Sequence, residues 1–317
     1  MNIPGIIEQK QKGFSIEVLP PLKGRSIEKL FKSIDPLLEY DPSYINITTH
    51  RSEIIYKKIE EGFFKPASER SRPGTVAVAA AIQSRLGIPA VPHLICSGYS
   101  RTETEYALID LSFIGITNVL ILRGDKAKHE SKFNPDPNGH SLAIQLQEQV
   151  NQFNKGFFAD GTEMDVASEI PFSYGVAGYP EKHEESPNID IDIQRLKAKV
   201  DAGADYIVTQ MFFDNNKFFE FEKNVRDAGI TVPIIPGIKP ITTINQISLL
   251  PKTFKVDIPT ELFNRLVKCS NDAEVMQVGI DWCVQQSKEL YDSGIKSIHY
   301  YTHNATNSVL QTIKQIF

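Results

Sequence analysis

Eight apolar, β-branched segments alternate along the chain with amphipathic stretches, and this alternation constrains the fold more than any other feature of the sequence. Strands separated by helices predict right-handed crossovers and a parallel sheet. No run of a different class follows the eight units. The predicted strands are 14–18, 44–48, 90–95, 118–122, 173–177, 205–209, 232–236 and 297–301.

The connections between these strands support a closed barrel rather than an open sheet. No Gly-x-Gly-x-x-Gly motif follows the first strand, which weakens the case for a dinucleotide-binding sheet. We therefore predict a (β/α)8 TIM barrel that forms a single domain over residues 1–317, with an excursion at about 154–172. The predicted helical stretches are 26–39, 74–86, 103–114, 139–153, 188–202, 215–228, 243–250 with 259–293, and 304–316.

The composition is that of an ordinary globular protein, with 317 residues, 41% hydrophobic and 23% charged. A net charge of −5 argues against bulk binding to nucleic acid or to an anionic membrane. The three cysteines have no paired metal spacing, so we expect no metal site and a reducing, cytoplasmic environment. The N-terminus has no long apolar core, and no run of about 18 apolar residues predicts a membrane span.

Glu17 lies inside the first predicted strand, within "GFSIEVLPP" at residues 13–21. The apolar residues of this run alternate with Ser15 and Glu17, and two prolines stop the strand. On a solvated face Glu17 would be an ordinary surface residue. In a barrel both faces of each strand are covered, and active sites collect at the C-terminal strand ends. Glu17 is therefore a candidate functional carboxylate.

Polar residues or glycines follow the C-terminal ends of all eight predicted strands. Any one of them could cap a helix or be a satisfied core group, but their recurrence at the same end indicates an enzyme or a small-molecule site. They are Glu17; Thr48 and Thr49; His93; Arg123, Gly124 and Asp125; Tyr179 and His183; Gln210; Gly237 and Lys239; and His299, Tyr301 and Asn304.

The tripeptide Arg123-Gly124-Asp125 follows the fourth predicted strand and allows two interpretations. As a structural turn, Gly124 permits a tight bend and Asp125 caps a helix. As part of a site, Gly124 lets the backbone approach a ligand, Arg123 supplies a cation and Asp125 accepts hydrogen bonds. Gln210 is equally open, because an amide can recognise a flat heterocycle or simply cap a strand. The histidines lack the close spacing of many zinc sites.

Short motifs occur in a fixed order along the chain: "FSIEVLPP", "PHLIC", "LRGD", "VAGYPEKHEE", "KVDAGADYIVTQMFFD", "PGIKPIT" and "IHYYTHN". Together they resemble the methylenetetrahydrofolate reductase family, the flavin-dependent barrel enzymes of one-carbon metabolism. The resemblance runs from about residue 10 to the C-terminus. We expect the short bacterial form, without the regulatory domain of the longer eukaryotic members.

The resemblance implies a ping-pong oxidoreductase with FAD as cofactor. NADH or NADPH reduces the flavin and leaves, and 5,10-methylenetetrahydrofolate is then reduced to 5-methyltetrahydrofolate, which serves methionine synthesis. Glu17 matches the family's catalytic glutamate, a general acid that helps to open the folate's five-membered ring. Asp125 matches an aspartate near the flavin and the pterin, whose negative charge tunes the redox step.

Further positions match by resemblance. Thr48 matches a nicotinamide contact, Gln210 a contact shared by nicotinamide and folate, and Gln246 and Tyr301 folate contacts. Ala305 departs from the family, because an arginine near the folate's glutamate tail is expected there. The positions that match FAD contacts are Thr49, His93, Arg123, Gly124, Asp125, Ala143, Tyr179, His183, Asp192 and Lys199.

Two other functions remain open at this point. One is a flavin-free, pterin-dependent methyltransferase, and the other is a non-catalytic ligand-binding or assembly protein on a degenerate reductase barrel. The presence of Glu17, Asp125 and Gln210 favours the reductase. The sequence does not indicate whether NADH or NADPH is preferred, and we expect a homo-oligomer.

Overall fold

The computed structural model describes residues 1–127, 130–167, 170–302 and 305–317. Its strands are β1 (Gly13–Val18), β2 (Tyr44–Ile47), β3 (Glu53–Glu60), β4 (Phe63–Glu69), β5 (Ala90–Ile95), β6 (Asn118–Leu122), β7 (Ser173–Gly178), β8 (Tyr206–Met211), β9 (Ile234–Ile238) and β10 (Ser297–Tyr301). Within these residues, eight strands close into a barrel in the order β1-β10-β9-β8-β7-β6-β5-β2. The predicted (β/α)8 barrel is confirmed.

Helices connect the barrel strands, and several begin at a capping residue. The Ser100 side chain accepts from the Glu103 backbone in a capping box, and Asn188 accepts from Ile191. The helices are α1 (Ile3–Glu8), α2 (Glu28–Leu38), α3 (Thr75–Leu86), α4 (Arg101–Phe113), α5 (Ala143–Asn154), α6 (Ile189–Asp201), α7 (Asn215–Asp227), α8 (Gln246–Phe254), α9 (Thr260–Leu266), α10 (Asp272–Asp292) and α11 (Thr306–Ile313).

The chain divides into two compact units. The first unit contains 1–19, 32–46 and 173–317, and the second contains 20–31 and 47–172. In the part of the chain that the structure describes, no helix is both long enough and apolar enough to cross a membrane.

In the first unit, neighbouring strands run parallel from β1 through β10, β9 and β8 to β7. Every residue of β1 is buried, including Ser15 and Glu17, because one face of a barrel strand points inward and the other lies under helices. Packing between the strands is close at Gly175, where an added Cβ would meet a ring carbon of Tyr206 at 2.3 Å. Only glycine fits there.

In the second unit, β5 and β6 are parallel barrel strands, whereas β3 and β4 form a separate antiparallel hairpin. Tyr56 and Phe63 on this hairpin are 72% and 66% exposed. The hairpin was not predicted, and neither was α1. The hairpin has no buried face, so the sequence analysis, which looked for strands of a covered barrel, did not recognise it despite its apolar residues.

The excursion before β7 is a loop tied at its base. Between Asn154 and Phe172, the side-chain amide of Asn154 donates to the backbone carbonyl at 2.9 Å and accepts from the backbone N–H at 2.8 Å. Phe157 and Glu163 form an isolated antiparallel bridge within it. The described residues of 155–172 contain no helix or longer strand.

Candidate active site

Polar side chains occupy two successive rows across β1, β10 and β9 in the first unit. The lower row consists of Ser15, His299 and Gly237, which are in register. Ser15 Oγ lies 2.9 Å from His299 Nδ1, and Asn46 Nδ2 lies 3.4 Å from the same nitrogen. The side chains of Ser15, Asn46 and His299 are fully buried, so this network fixes the imidazole ring inside the barrel.

The upper row consists of Glu17, Tyr301 and Lys239. Glu17 is paired with Tyr301 across β1 and β10, and Lys239 follows β9 one position beyond the last paired residues. Glu17 is 5% exposed and Lys239 is 6% exposed. His299 Nε2 lies 3.9 Å from Glu17 Oε2, below the carboxyl group. The row therefore places a carboxyl, a phenol and an ammonium in one enclosed layer at the C-terminal strand ends.

Tyr301 is held from two sides. Its hydroxyl donates to the backbone carbonyl of Thr209 at 2.8 Å, and its ring packs edge-on against His299 with centroids 4.8 Å apart. An added Cβ on Gly237 would meet Tyr301 Cε2 at 2.6 Å, so the glycine makes room for the ring. Burial raises the pKa of the Tyr301 hydroxyl well above its ordinary value, and Glu17 and Tyr179 raise it further. Tyr301 is therefore a neutral donor at physiological pH.

Two opposite effects act on the pKa of Lys239 in the upper row. Burial lowers the pKa of Lys239, while the charge of Glu17 acts in the other direction. For a buried carboxyl such as Glu17, desolvation favours the neutral form and a nearby ammonium favours the carboxylate. Such a group can hold a proton and release it within the site, as general acid chemistry requires.

The first unit also carries a loop after β7 with matched flavin positions. Tyr179 and His183 pack edge-on with ring centroids 4.7 Å apart. Asp192, in the first turn of α6, accepts from the His183 backbone at 3.1 Å and from the Ser186 hydroxyl at 2.6 Å. These two hydrogen bonds hold the loop against α6, so the Asp192 carboxylate helps to position the loop that carries Tyr179 and His183.

Lys199 is a second, half-buried cation of the first unit. Its Nζ donates to the backbone carbonyl of Ala177, on β7, at 2.6 Å. Burial lowers the pKa of Lys199 to about 8, and Asp192 opposes this shift. Lys199 therefore carries a positive charge over most of the physiological range, near the end of β7.

Of the two matched glutamines, both in the first unit, Gln210 lies near the C-terminal end of β8 and Gln246 is the first residue of α8. The β8–β9 register shifts between Val208 and Met211, and Gln210 lies in this irregular stretch. Its Oε1 accepts from the Met211 backbone at 2.9 Å. Gln246 Oε1 accepts from the Thr242 backbone at 2.6 Å and so braces the turn that leads into α8. Both side chains are coupled to the backbone beside them.

In the second unit, Thr48, Thr49 and His93 lie at the ends of β2 and β5. Thr49 Oγ1 donates to the backbone carbonyl of His93 at 2.5 Å, and Thr48 Oγ1 lies 3.2 Å from His50 Nε2. His93 is buried within β5. The hydroxyls of Thr48 and Thr49 and the imidazole of His93 therefore lie near the C-terminal ends of β2 and β5.

The Arg123-Gly124-Asp125 turn also belongs to the second unit. Gly124 has φ +79°, as expected for a tight bend, and Ser97 Oγ donates to the Asp125 carbonyl at 2.5 Å. The Arg123 guanidinium lies 4.8 Å from the Phe133 ring centre. Helix capping by Asp125 is wrong, because the described residues after it form no helix before Ala143, the first residue of α5. The Asp125 side chain is exposed.

Sequence reasoning named Lys239 as a cation that could serve the folate tail, and named His299 without a role. The alternation in β1 places Ser15 and Glu17 on one face of that strand. Polar residues of the neighbouring strands that point to the same face could have been sought from this pattern. Glu181 was missed entirely, although burial raises the pKa of its carboxyl to about 7. Asn304 lies outside the described residues. Within the described residues, no group of three or more His, Cys, Asp or Glu side chains could hold a metal ion.

Comparison with known proteins identifies related sequences over almost the whole chain. A family model described as methylenetetrahydrofolate reductase matches residues 2–316. The chain is 31% identical to the 5,10-methylenetetrahydrofolate reductase of Salmonella typhimurium, covering 93% of this chain and 88% of that protein. It is also 31% identical to methylenetetrahydrofolate reductase (NADH) 1 of Arabidopsis thaliana, covering 98% of this chain and 49% of the relative.

The relatives differ in length. The chain covers 44% of the probable methylenetetrahydrofolate reductase (NADPH) of Caenorhabditis elegans, with 29% identity, and so spans about half the length of the eukaryotic relatives it matches. A solved structure is similar in fold, with a TM-score of 0.56, 16% identity and 98% of each chain covered. It is a Clostridium thermocellum protein described as binding two copies of 5-methyl-5,6,7,8-tetrahydrofolic acid. Since the family model spans nearly every residue, the chain belongs to the methylenetetrahydrofolate reductase family.

Proposed function

We propose that this protein reduces 5,10-methylenetetrahydrofolate to 5-methyltetrahydrofolate, with FAD as cofactor and NADH or NADPH as the source of electrons. The observation that carries the proposal is the buried Glu17 carboxyl in one layer with Tyr301 and Lys239. A carboxyl in that setting suits a proton donor, and the family supplies the reaction in which a donor is needed.

The residues present fit a flavin dinucleotide by the chemistry of their donor groups. FAD carries a diphosphate, sugar hydroxyls and a flat ring system, which require cations, hydrogen-bonding groups and aromatic or apolar surface. Lys199 and Arg123 supply cations for the diphosphate, and Thr49 and Tyr179 supply hydroxyls. The remaining proposed contacts are His93, Gly124, Asp125, Ala143, His183 and Asp192. When bound, FAD carries a hydride from the nicotinamide to the folate.

Glu17 is the proposed general acid. Opening the five-membered ring breaks a C–N bond of the folate, and the departing nitrogen needs a proton. The Glu17 carboxyl donates that proton and becomes a carboxylate, which takes up a proton from solvent before the next turnover. The Thr302 hydroxyl donates to the Glu17 backbone carbonyl, which fixes the strand end that carries the acid.

The other matched residues bind and orient. Gln210 and Tyr301 meet the pterin, with Tyr301 held rigid by Thr209 and His299. Gln246 lies at the start of α8 and serves the folate side, and Thr48 serves the nicotinamide. Asp125 adds a negative charge that favours a cationic folate intermediate. The folate-binding Clostridium protein of similar fold supports a reduced folate as ligand.

We also propose a homo-oligomer in the cytoplasm. Several large apolar side chains on the β3–β4 hairpin are exposed to solvent, which supports a contact between copies. All three cysteines are unpaired, in keeping with a reducing compartment. Light scattering of the purified protein, with and without the Tyr56→Ser substitution, tests the contact.

One anaerobic titration tests the main proposal. The purified protein should be yellow and bind FAD, its flavin absorbance should bleach with NADH or NADPH, and methylenetetrahydrofolate should restore it. A protein that binds reduced folate but never FAD would favour the methyltransferase. A flavin that neither nicotinamide bleaches would favour the non-catalytic binding protein.

A further inference from the structure

We propose that Lys239 is a positioning residue for Glu17, acting as the buried counter-ion that makes this carboxyl a stronger acid. The proposal rests on the proposed function, in which Glu17 donates a proton to the folate. It assigns the strength of that acid to the residue that directly follows β9.

The strand register places Lys239 and Glu17 in the same row of the sheet. Glu17 is paired with Tyr301, and the last paired residues of β10 and β9 are Tyr300 and Ile238, so extending this register by one residue brings Lys239 into the row of Tyr301. Residues in one row of a parallel sheet point to the same face. Two strand spacings separate the Glu17 and Lys239 backbones by about 10 Å, a gap that a lysine and a glutamate side chain can close between them.

Burial carries the second step. Lys239 as a residue is only 6% exposed, and a charge carried by so buried a side chain needs a counter-charge. Among the described residues, two titratable groups act on it, the Glu17 carboxyl and the Cys283 thiol of α10. Burial raises the pKa of Cys283 to about 12, so this thiol is neutral at physiological pH. Glu17 is therefore the group that can supply the compensating charge, once it has given up its proton.

The neighbours of Glu17 complete the electrostatic picture. His299 Nε2 lies 3.9 Å from its carboxyl, and Tyr301 is neutral because burial raises the pKa of its hydroxyl. Burial lowers the pKa of Lys239, and the charge of Glu17 opposes that shift, as expected for opposite charges in one enclosed layer.

The consequence concerns proton donation. An ammonium beside a carboxyl stabilises the carboxylate, so the acid releases its proton more readily. In the reaction, the Glu17 O–H bond breaks while an N–H bond forms on the leaving folate nitrogen, and Lys239 pairs with the carboxylate that results. Lys239 itself keeps its protons and does not touch the folate.

The test replaces Lys239 by methionine, which keeps the length of the side chain but removes its charge. The pH profile of the folate half-reaction should then extend to higher pH, its basic limb moving up by about one to three units. Lys239→Arg retains the charge and should restore the basic limb to near its wild-type position. Lys223→Met removes an exposed ammonium on α7 and serves as the matched control, with no shift expected.

A second readout needs no turnover. In protein labelled with ¹³C at the glutamate carboxyls, the Glu17 signal is the one that disappears in Glu17→Gln. Its titration midpoint should rise in Lys239→Met by the same one to three units. An unchanged midpoint and an unchanged pH profile would overturn the proposal even if folate is reduced normally. If wild-type protein does not reduce folate, the proposed function fails, whereas the midpoint still decides whether Lys239 is the counter-ion. If Lys239→Met does not fold, Lys239→Gln gives the same comparison.

Discussion

Glu17 and Asp125 are carboxylates assigned to the same reaction, yet their surroundings differ. Glu17, in the first unit, is 5% exposed and lies in a layer with Tyr301 and Lys239. Asp125, in the second unit, follows the Gly124 turn and its side chain is exposed. Water screens an exposed charge and leaves a buried one strongly coupled to its neighbours. The comparison therefore favours Glu17 for the proposed proton transfer and a weaker charge effect for Asp125.

The largest effect should come from Glu17→Gln, which keeps the shape of the side chain but removes its proton. We expect reduction of the flavin by the nicotinamide to continue, while folate reduction falls by about 10²- to 10⁴-fold. Stopped-flow measurement of each half-reaction checks this. Glu220→Gln, at an exposed position on α7, is the control. Near-normal folate reduction in Glu17→Gln would remove Glu17 from the catalytic role.

Asp125→Asn should have an intermediate effect, because it removes a charge that water already screens. We expect the flavin midpoint potential to rise and folate reduction to slow by roughly ten-fold, about 1.4 kcal/mol. Spectroelectrochemistry and the folate half-reaction provide the two measurements. If the midpoint potential is unchanged or lower, Asp125 does not lie beside the flavin, and the turn is purely structural.

Glu181 extends the comparison to a half-buried carboxyl of the first unit, on the loop after β7. Burial raises the pKa of this carboxyl from 4.5 to about 7, so the folded protein holds the proton more tightly than the unfolded chain does. Stability is therefore full below pH 4.5 and declines as the pH rises towards 7. In Glu181→Gln, whose amide can still accept from the Asp257 backbone, this decline should be absent.

The expected difference is small, because the group is partly screened by water. Between pH 4.5 and 7, the free energy of unfolding of wild type should fall relative to Glu181→Gln by about 1 kcal/mol. Urea unfolding at several pH values measures it, with Glu220→Gln as the exposed control. Parallel pH dependence in wild type and Glu181→Gln would show that this carboxyl titrates normally.

The smallest effect should come from Ala305→Arg, just before α11. Ala305 is itself buried, and an arginine that replaces it can pair with a carboxylate of the folate tail, contributing roughly 1 kcal/mol or less where water reaches the pair. The pair lies far from the reacting atoms, so KM for the folate should fall a few-fold with kcat unchanged. Gln311→Arg adds the same charge at an exposed position on α11. If KM is unaltered and a tail-less pterin binds equally well to both proteins, the tail does not lie there.

The barrel strands could be predicted closely from the sequence. The predicted segments 90–95, 118–122 and 297–301 coincide with β5, β6 and β10. Strands buried on both faces require nearly continuous apolar runs, and such runs are visible without any tertiary information. The β3–β4 hairpin shows the limit of this reasoning. Neither of its faces is buried, so it lacks the continuous apolar run by which the barrel strands were recognised.

The sequence by itself determined the βα alternation and the barrel, and it made Glu17 a candidate, because each of these depends on local pattern or on an ordered set of motifs. The surroundings of Glu17 were decided only by the tertiary structure. Ser15 and His299 are 284 positions apart along the chain, yet their side chains are 2.9 Å apart. Lys239 reaches the same layer through the β1-β10-β9 strand order. Strand order and register are set by closure of the whole barrel, so no local stretch of sequence specifies which charges will face one another.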